Sequence, residues 1–161
     1  IAGTSHTHDL LLANDATIRV EIESRRGALS SRQKHVRVLN CECGEKLANA
    51  DFDTQAAWTL GTGWSIVGGA AIKAAGITSD IEQPFAFVDG GLYRIEVVLS
   101  QVTAGSVRVR LAGTTSIDGV ARNANGTFID TLTAAGHTAL RITADAAFAG
   151  RIERVSLRRL A

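Results

Sequence analysis

The sequence predicts an all-β protein: an antiparallel β-sandwich of jelly-roll type preceded by an N-terminal β-hairpin arm. Three observations carry this. Over the C-terminal two-thirds, turn signals return about every 8–12 residues, the spacing of sandwiches and jelly rolls. Between them lie short runs that alternate apolar and polar residues. No stretch keeps a helical period. Composition agrees, with 45% hydrophobic residues, 16 Gly without periodicity and a single Pro, Pro84. That is the make-up of many short strands joined by glycine turns.

The arm comes first. Residues 1–15 have no lasting period. Residues 17–23 alternate strictly, with Ile18, Val20 and Ile22 on one face and Arg19, Glu21 and Glu23 on the other, which is a half-buried strand. Residues 24–34 are polar and basic and read as a loop. Residues 35–41 read as a second strand, expected to pair with the first as a hairpin with a long tip. An isolated hairpin is marginal in water, so the stripe of Ile18, Val20 and Ile22 is expected to serve assembly. The junction falls near Gly44, dividing the chain into an attachment segment, 1–44, and a sandwich, 45–161.

The sandwich strands follow in order. Residues 58–60 and 64–67 flank the turn Gly61-Thr62-Gly63, and Gly68-Gly69 leads into 70–74. Residues 78–87 are extended, with Pro84 marking an edge or a bulge. The clearest strand is 92–100, with Tyr93, Ile95, Val97 and Leu99 inward and Arg94 and Glu96 outward. After Gly105, Val107, Val109 and Leu111 point inward and Arg108 and Arg110 outward. Further strands are expected at 115–121, 127–133, 138–143 and 151–159.

Several motifs in this order carry a resemblance. They are Leu47-Ala48-Asn49-Ala50-Asp51-Phe52, Trp58-Thr59-Leu60-Gly61-Thr62-Gly63-Trp64, Gly68-Gly69-Ala70-Ala71, Gly91-Leu92-Tyr93-Arg94-Ile95 and Ile152-Glu153-Arg154-Val155-Ser156-Leu157. Over residues 47–160 the chain resembles the carbohydrate-binding-module-like jelly rolls of bacteriophage tail, baseplate and other virion proteins. The resemblance implies a virion structural protein without catalytic activity, found on the extracellular particle. Its partners would be other virion proteins or copies of itself, and its attachment target a host-surface glycan. The alternative is a carbohydrate-binding accessory module of a glycoside hydrolase. The resemblance also implies a structural calcium near Asn49, Asp51, Asp53 and Glu153. The alternation adds that Glu153 shares the inward phase of Val155 and Leu157. A buried carboxylate must be paired or coordinated; the other reading is a β-bulge that turns Glu153 to solvent.

The remaining constellations narrow the function. Net charge is +1, so no global field points to nucleic acid. It is divided unevenly: 19–37 carry six basic and two acidic residues, and 45–150 carry seven basic and ten acidic. A contact of the basic tip with an acidic neighbouring subunit is therefore expected. No apolar run approaches the ~20 residues of a membrane span. The chain has no Met and begins at Ile1, which reads as a processed product or a piece of a longer protein. His6, His8, Cys41 and Cys43 could in principle supply zinc ligands, but nothing in the sequence brings them together. Trp64 and Tyr93 are expected in the core, and Trp58 is the aromatic best placed to meet a sugar. His137 is expected in a solvated turn. No nucleophile elbow or phosphate loop is present, and the chain is not expected to be an enzyme.

Overall fold

The computed structural model describes residues 44–160, together with the backbone of strands 5–12 and 16–23. The chain forms β1 (Ser5–Leu12), β2 (Ala16–Glu23), β3 (Thr59–Leu60), β4 (Trp64–Ile66), β5 (Ala71–Lys73), β6 (Ser79–Pro84), β7 (Leu92–Ala104), β8 (Val107–Gly113), β9 (Ser116–Asp118), β10 (Gly126–Thr133), β11 (His137–Ala144) and β12 (Ala149–Leu160). Among the described residues there is no helix, and hence none long and apolar enough to cross a membrane.

β3 to β12 make two five-stranded antiparallel sheets, ordered β10-β7-β12-β5-β4 and β3-β6-β11-β8-β9. This is the sandwich expected from the sequence, and each expected strand of residues 58–159 is found within a few residues of its place. Period-2 alternation explains why the sheets face each other. β7 turns Tyr93, Ile95, Val97 and Leu99 inward, and β8 turns Val107, Val109 and Leu111 inward to meet them. Leu140 and Ile142 of β11 and Ile152, Val155 and Leu157 of β12 complete the centre and are fully buried. Each such side chain contributes about 1.5–3 kcal/mol of transfer free energy before chain entropy is set against it.

β12 has β7 along one edge, but β5 covers its other edge only at Gly150–Ile152. The chain between Glu45 and Ala50 covers the rest. Lys46 N donates to Leu157 O at 2.9 Å and Val155 N to Ala50 O at 3.0 Å. The Glu45 carboxylate accepts from Leu157 N at 2.9 Å. A side chain thus stands in for a strand carbonyl, which satisfies a backbone donor that would otherwise lack a partner.

The arm holds a strand pair that the sequence pattern did not show. β2 pairs antiparallel with β1, with Ile22 opposite His6, Val20 opposite His8 and Ile18 opposite Leu10. The expected partner, 35–41, lies outside the described residues. The signal for β1 is in the sequence: 5–12 alternate if His6 and His8 are grouped with Leu10 and Leu12. The β1–β2 sheet shares no ladder with either sandwich sheet.

Candidate functional site

Residues 49–57 build the first candidate region. Asn49, Phe52 and Ala57 all have positive φ, at 54°, 54° and 70°. Asn tolerates that conformation, whereas Phe and Ala are strained there by roughly 1–2 kcal/mol each. The loop is held by its own amide side chain. Asn49 Nδ2 donates to Ala56 O at 3.1 Å and also to Thr54 O, and Asn49 Oδ1 accepts from Thr54 N at 3.3 Å. Phe52 is fully buried and packs on Trp58, with ring centroids 5.0 Å apart.

Trp58 itself is only 5% exposed, and its Nε1 donates to Asn49 O at 3.0 Å. This corrects the expectation that Trp58 could meet a sugar. Its indole is a core element, and burial with a satisfied N–H leaves no face to offer. Trp64 and Tyr93 are buried as expected, and Val88 N donates to the Tyr93 hydroxyl at 3.0 Å. The chain's two Trp, one Tyr and five Phe all lie among the described residues, and none of them is exposed.

The four calcium candidates do not converge. The amide of Asn49 is engaged in its loop. Asp51 faces Arg154, with Oδ1 3.3 Å from Nε, and Asp53 is exposed. The β7–β12 register shifts between Ile152 and Arg154, so a bulge at Glu153 breaks the alternation that would have carried its side chain inward. Glu153 accepts instead from Ser100 Oγ and lies 3.2 Å from Arg151 Nε. Among the described residues no three His, Cys, Asp or Glu side chains gather as a metal site. Cys41 and Cys43 lie outside the described residues. Ile18, Val20 and Ile22, expected to serve assembly, fall on β2. His137 is a second correction: it opens β11 at 5% exposure, and its Nδ1 accepts from Ala135 N at 2.8 Å. The composition of its surroundings resembled a turn, but the ring tucks edge-on against Phe87.

Two surfaces were not legible in the sequence. The first is the outer face of the β3-β6-β11-β8-β9 sheet, where charges cross four strands in register. Arg141 of β11 reaches Glu82 of β6, with Nε donating at 2.6 Å, and lies 3.5 Å from Asp80. On β8, Arg110 Nη2 donates to Asp118 Oδ2 of β9 at 2.9 Å, and Arg108 Nε lies 3.4 Å from Asp118. The Arg110 hydrogen bond holds the Asp118 carboxyl below its ordinary value, although partial burial works the other way. These arginines and carboxylates satisfy one another, giving a flat polar face rich in hydrogen-bonding groups.

The second is a narrow cleft between the sheets, lined by Val97, Leu99, Val107, Val109, Phe128 and Ile142 and enclosing about 10 Å³, near the lower limit for one water. Residues 119–125 strap its mouth. Val107 and Arg122 exchange backbone hydrogen bonds at 2.9 and 2.8 Å, and Gly119 N donates to Val109 O. Arg122 Nη2 donates to Asp130 Oδ1 at 3.0 Å, and its guanidinium lies 5.1 Å from the Phe128 ring centroid. An arginine so placed covers the Phe128 ring at the end of the core and neutralises the mostly buried Asp130 carboxylate.

No protein-family model matches the chain, and no curated protein matches it in sequence. Solved structures do. The enzymatically active domain of bacteriophage CBA120 tailspike protein 4 matches with a TM-score of 0.52 and 12% identity, covering 72% of this chain and 21% of that one. This chain therefore spans about a fifth of the tailspike chain. A CBM4 structure matches with a TM-score of 0.44 and 15% identity, covering 70% of this chain and 98% of the other. At such identities the likeness is one of fold alone, with a portion of the tailspike chain.

Proposed function

We propose that the chain is a non-catalytic structural protein of a bacteriophage particle. It holds to its neighbours through residues 1–44 and displays the sandwich outward, where the polar outer face meets host-surface glycan. The observation that carries this reading is a division of labour. The sandwich buries both Trp, Tyr93, Phe52 and Phe148, leaves Phe85, Phe87 and Phe128 only partly covered and ties its outer charges together, while β1 and β2 form a sheet of their own outside its strand order. A closed, inert body with a separate two-stranded appendage suits assembly and display. The fold likeness to part of a phage tailspike chain supports the same setting. Arg141, Glu82, Arg110 and Asp118 offer donors and acceptors of the kind that hydroxyl-rich ligands use, without a stacking ring, so glycan contact here is weak and multivalent.

The test is copurification. The protein is expected in stoichiometric amounts on purified phage-like particles, and Ile18→Asp with Ile22→Asp is expected to remove it from them while circular dichroism shows the sandwich folded. Its absence from particles would overturn the virion assignment. A glycan array probed with the multimerised full-length chain tests the second half, which a complete lack of binding would overturn.

A further inference from the structure

Over residues 45–160 basic and acidic side chains are equal in number, eleven of each, but they are not evenly placed. β12 holds Arg151, Arg154, Arg158 and Arg159 against Glu153, a net of +3. Residues 45–148 hold seven basic against ten acidic, a net of −3. The positive excess thus sits on the middle strand of the β10-β7-β12-β5-β4 sheet.

The register turns three of these arginines to one side. Ile152, Val155 and Leu157 are fully buried in the core. Strict alternation would send Arg151 and Arg154 to opposite faces. The bulge between Ile152 and Arg154 brings both to the outer face, the kind of re-aiming that bulges perform, and Ser156 and Arg158 continue the row. Opposite them on β7 stand Ser100, Val98, Glu96 and Arg94. Arg158 and Arg94 are therefore like charges directly across the ladder, an unfavourable pairing in a bare sheet.

These arginines are poorly satisfied. On the other sheet Arg110 and Arg141 donate hydrogen bonds to carboxylates. Among the described residues the buried Nε atoms of Arg151, Arg154 and Arg158 have no hydrogen-bond partner, and neither has Ser156 Oγ between them. Arg151 lies 3.2 Å from Glu153 and Arg154 3.3 Å from Asp51, loose pairs at the surface that contribute little. A guanidinium fork matches an oxyanion.

The surroundings select the oxyanion's carrier. Between Arg94 and Ser100 on β7, and between Arg151 and Arg158 on β12, no large hydrophobic side chain is exposed, so the face lacks the apolar centre of a protein interface. Those spans carry no outward ring and the sandwich is neutral overall, which removes base stacking and long-range attraction of nucleic acid. Glu96 and Glu153 stand among the arginines and can accept from hydroxyls, but they oppose a dense run of negative charge. Arg154 and Arg158 are about 13 Å apart along the strand at about 3.3 Å per residue. A hydroxyl-rich chain with well-separated carboxylates fits this pattern.

We infer that the outer face of β12 binds an acidic saccharide, with carboxylates at Arg154 and at the Arg94–Arg158 pair and hydroxyls at Glu96 and Glu153. This rests on the saccharide half of the reading above. It adds a charged ligand class and a second face, on the sheet opposite Arg110 and Arg141.

The experiment passes the full-length chain over immobilised polygalacturonate, alginate, neutral galactan, polyglutamate and single-stranded DNA. Binding is expected to the two acidic polysaccharides and to weaken as salt rises. Arg154→Gln with Arg158→Gln is expected to weaken it at least about tenfold at unchanged melting temperature. Arg158→Gln alone, which breaks no ion pair with a described residue, is expected to weaken it about threefold. Binding to galactan alone overturns the inference and leaves the saccharide reading standing. So does acidic-polysaccharide binding that survives the β12 variants and is lost with Arg110→Gln and Arg141→Gln. Equal binding to polyglutamate or DNA overturns the saccharide as the ligand class. If no polysaccharide binds, the inference and the saccharide reading both fall.

Discussion

Val97 and Arg110 sit on opposite faces of their sheets, one 5% exposed among aliphatic neighbours and the other paired with Asp118 at the surface. Val97→Asp places an unpaired carboxylate in the core and is expected to prevent folding. Arg110→Ser removes a surface pair and is expected to cost about 1 kcal/mol or less. Chemical denaturation of the two variants checks both. Asp145 makes a separate prediction. Burial raises its carboxyl, but bonds from the Ser106 hydroxyl, Ser106 N, Ala147 N and Phe148 N outweigh that and hold it below the ordinary value. A depressed folded value means that its stabilisation is present above about pH 4 and is lost as pH falls through the folded value. Asp145→Asn is therefore expected to flatten the acid limb of the stability curve, read as melting temperature below pH 4. Gly105 belongs to the same corner. It has φ of +66°, and a Cβ there would lie 2.1 Å from Phe148 N; Gly105→Ala is expected to lower the melting temperature by several degrees.

At the scale of elements, legibility in the sequence followed length and regularity. β7 and β8 were readable because their alternation runs unbroken as far as Leu99 and Leu111. Of the two readings of Glu153 the bulge holds, with one residue inserted between Ile152 and Val155, although nothing in residue type alone marks that insertion. Trp58 precedes a strand of two residues, too short to establish which way a neighbour points. β1 was missed because histidine counts as polar in a pattern and yet can share a face with leucine. The edge of β12 gives the testable case. Glu45 serves there as a strand substitute, accepting from Leu157 N, Lys46 N and Leu47 N. Glu45→Ala is expected to cost about 1–3 kcal/mol and to speed hydrogen exchange at Leu157 before other core amides. Unchanged exchange there would show that the carboxylate is dispensable.

For the whole molecule, every motif of the sandwich lies after residue 44, and its core cluster runs from Leu47 to Leu157. Residues 45–160 are therefore expected to unfold cooperatively when expressed without the arm; the absence of a cooperative thermal transition would show that the core needs residues 1–44. The two halves were unequally legible for a physical reason. A core of more than twenty buried side chains imposes its period on the sequence, whereas a surface of mutually paired charges imposes none. The outer face of β6, β11, β8 and β9 reads in one dimension as scattered Asp, Glu and Arg.

The place where the arm joins the sandwich also decides how the domain bears force. A pull on residue 44 does not reach an edge strand first. It passes through Glu45 and Lys46 to Leu157 and so into β12, the middle strand of its sheet, which is clamped by β7 over most of its length. A domain hung from a moving surface by its N-terminal arm would yield at the Glu45 clip well before its core opened.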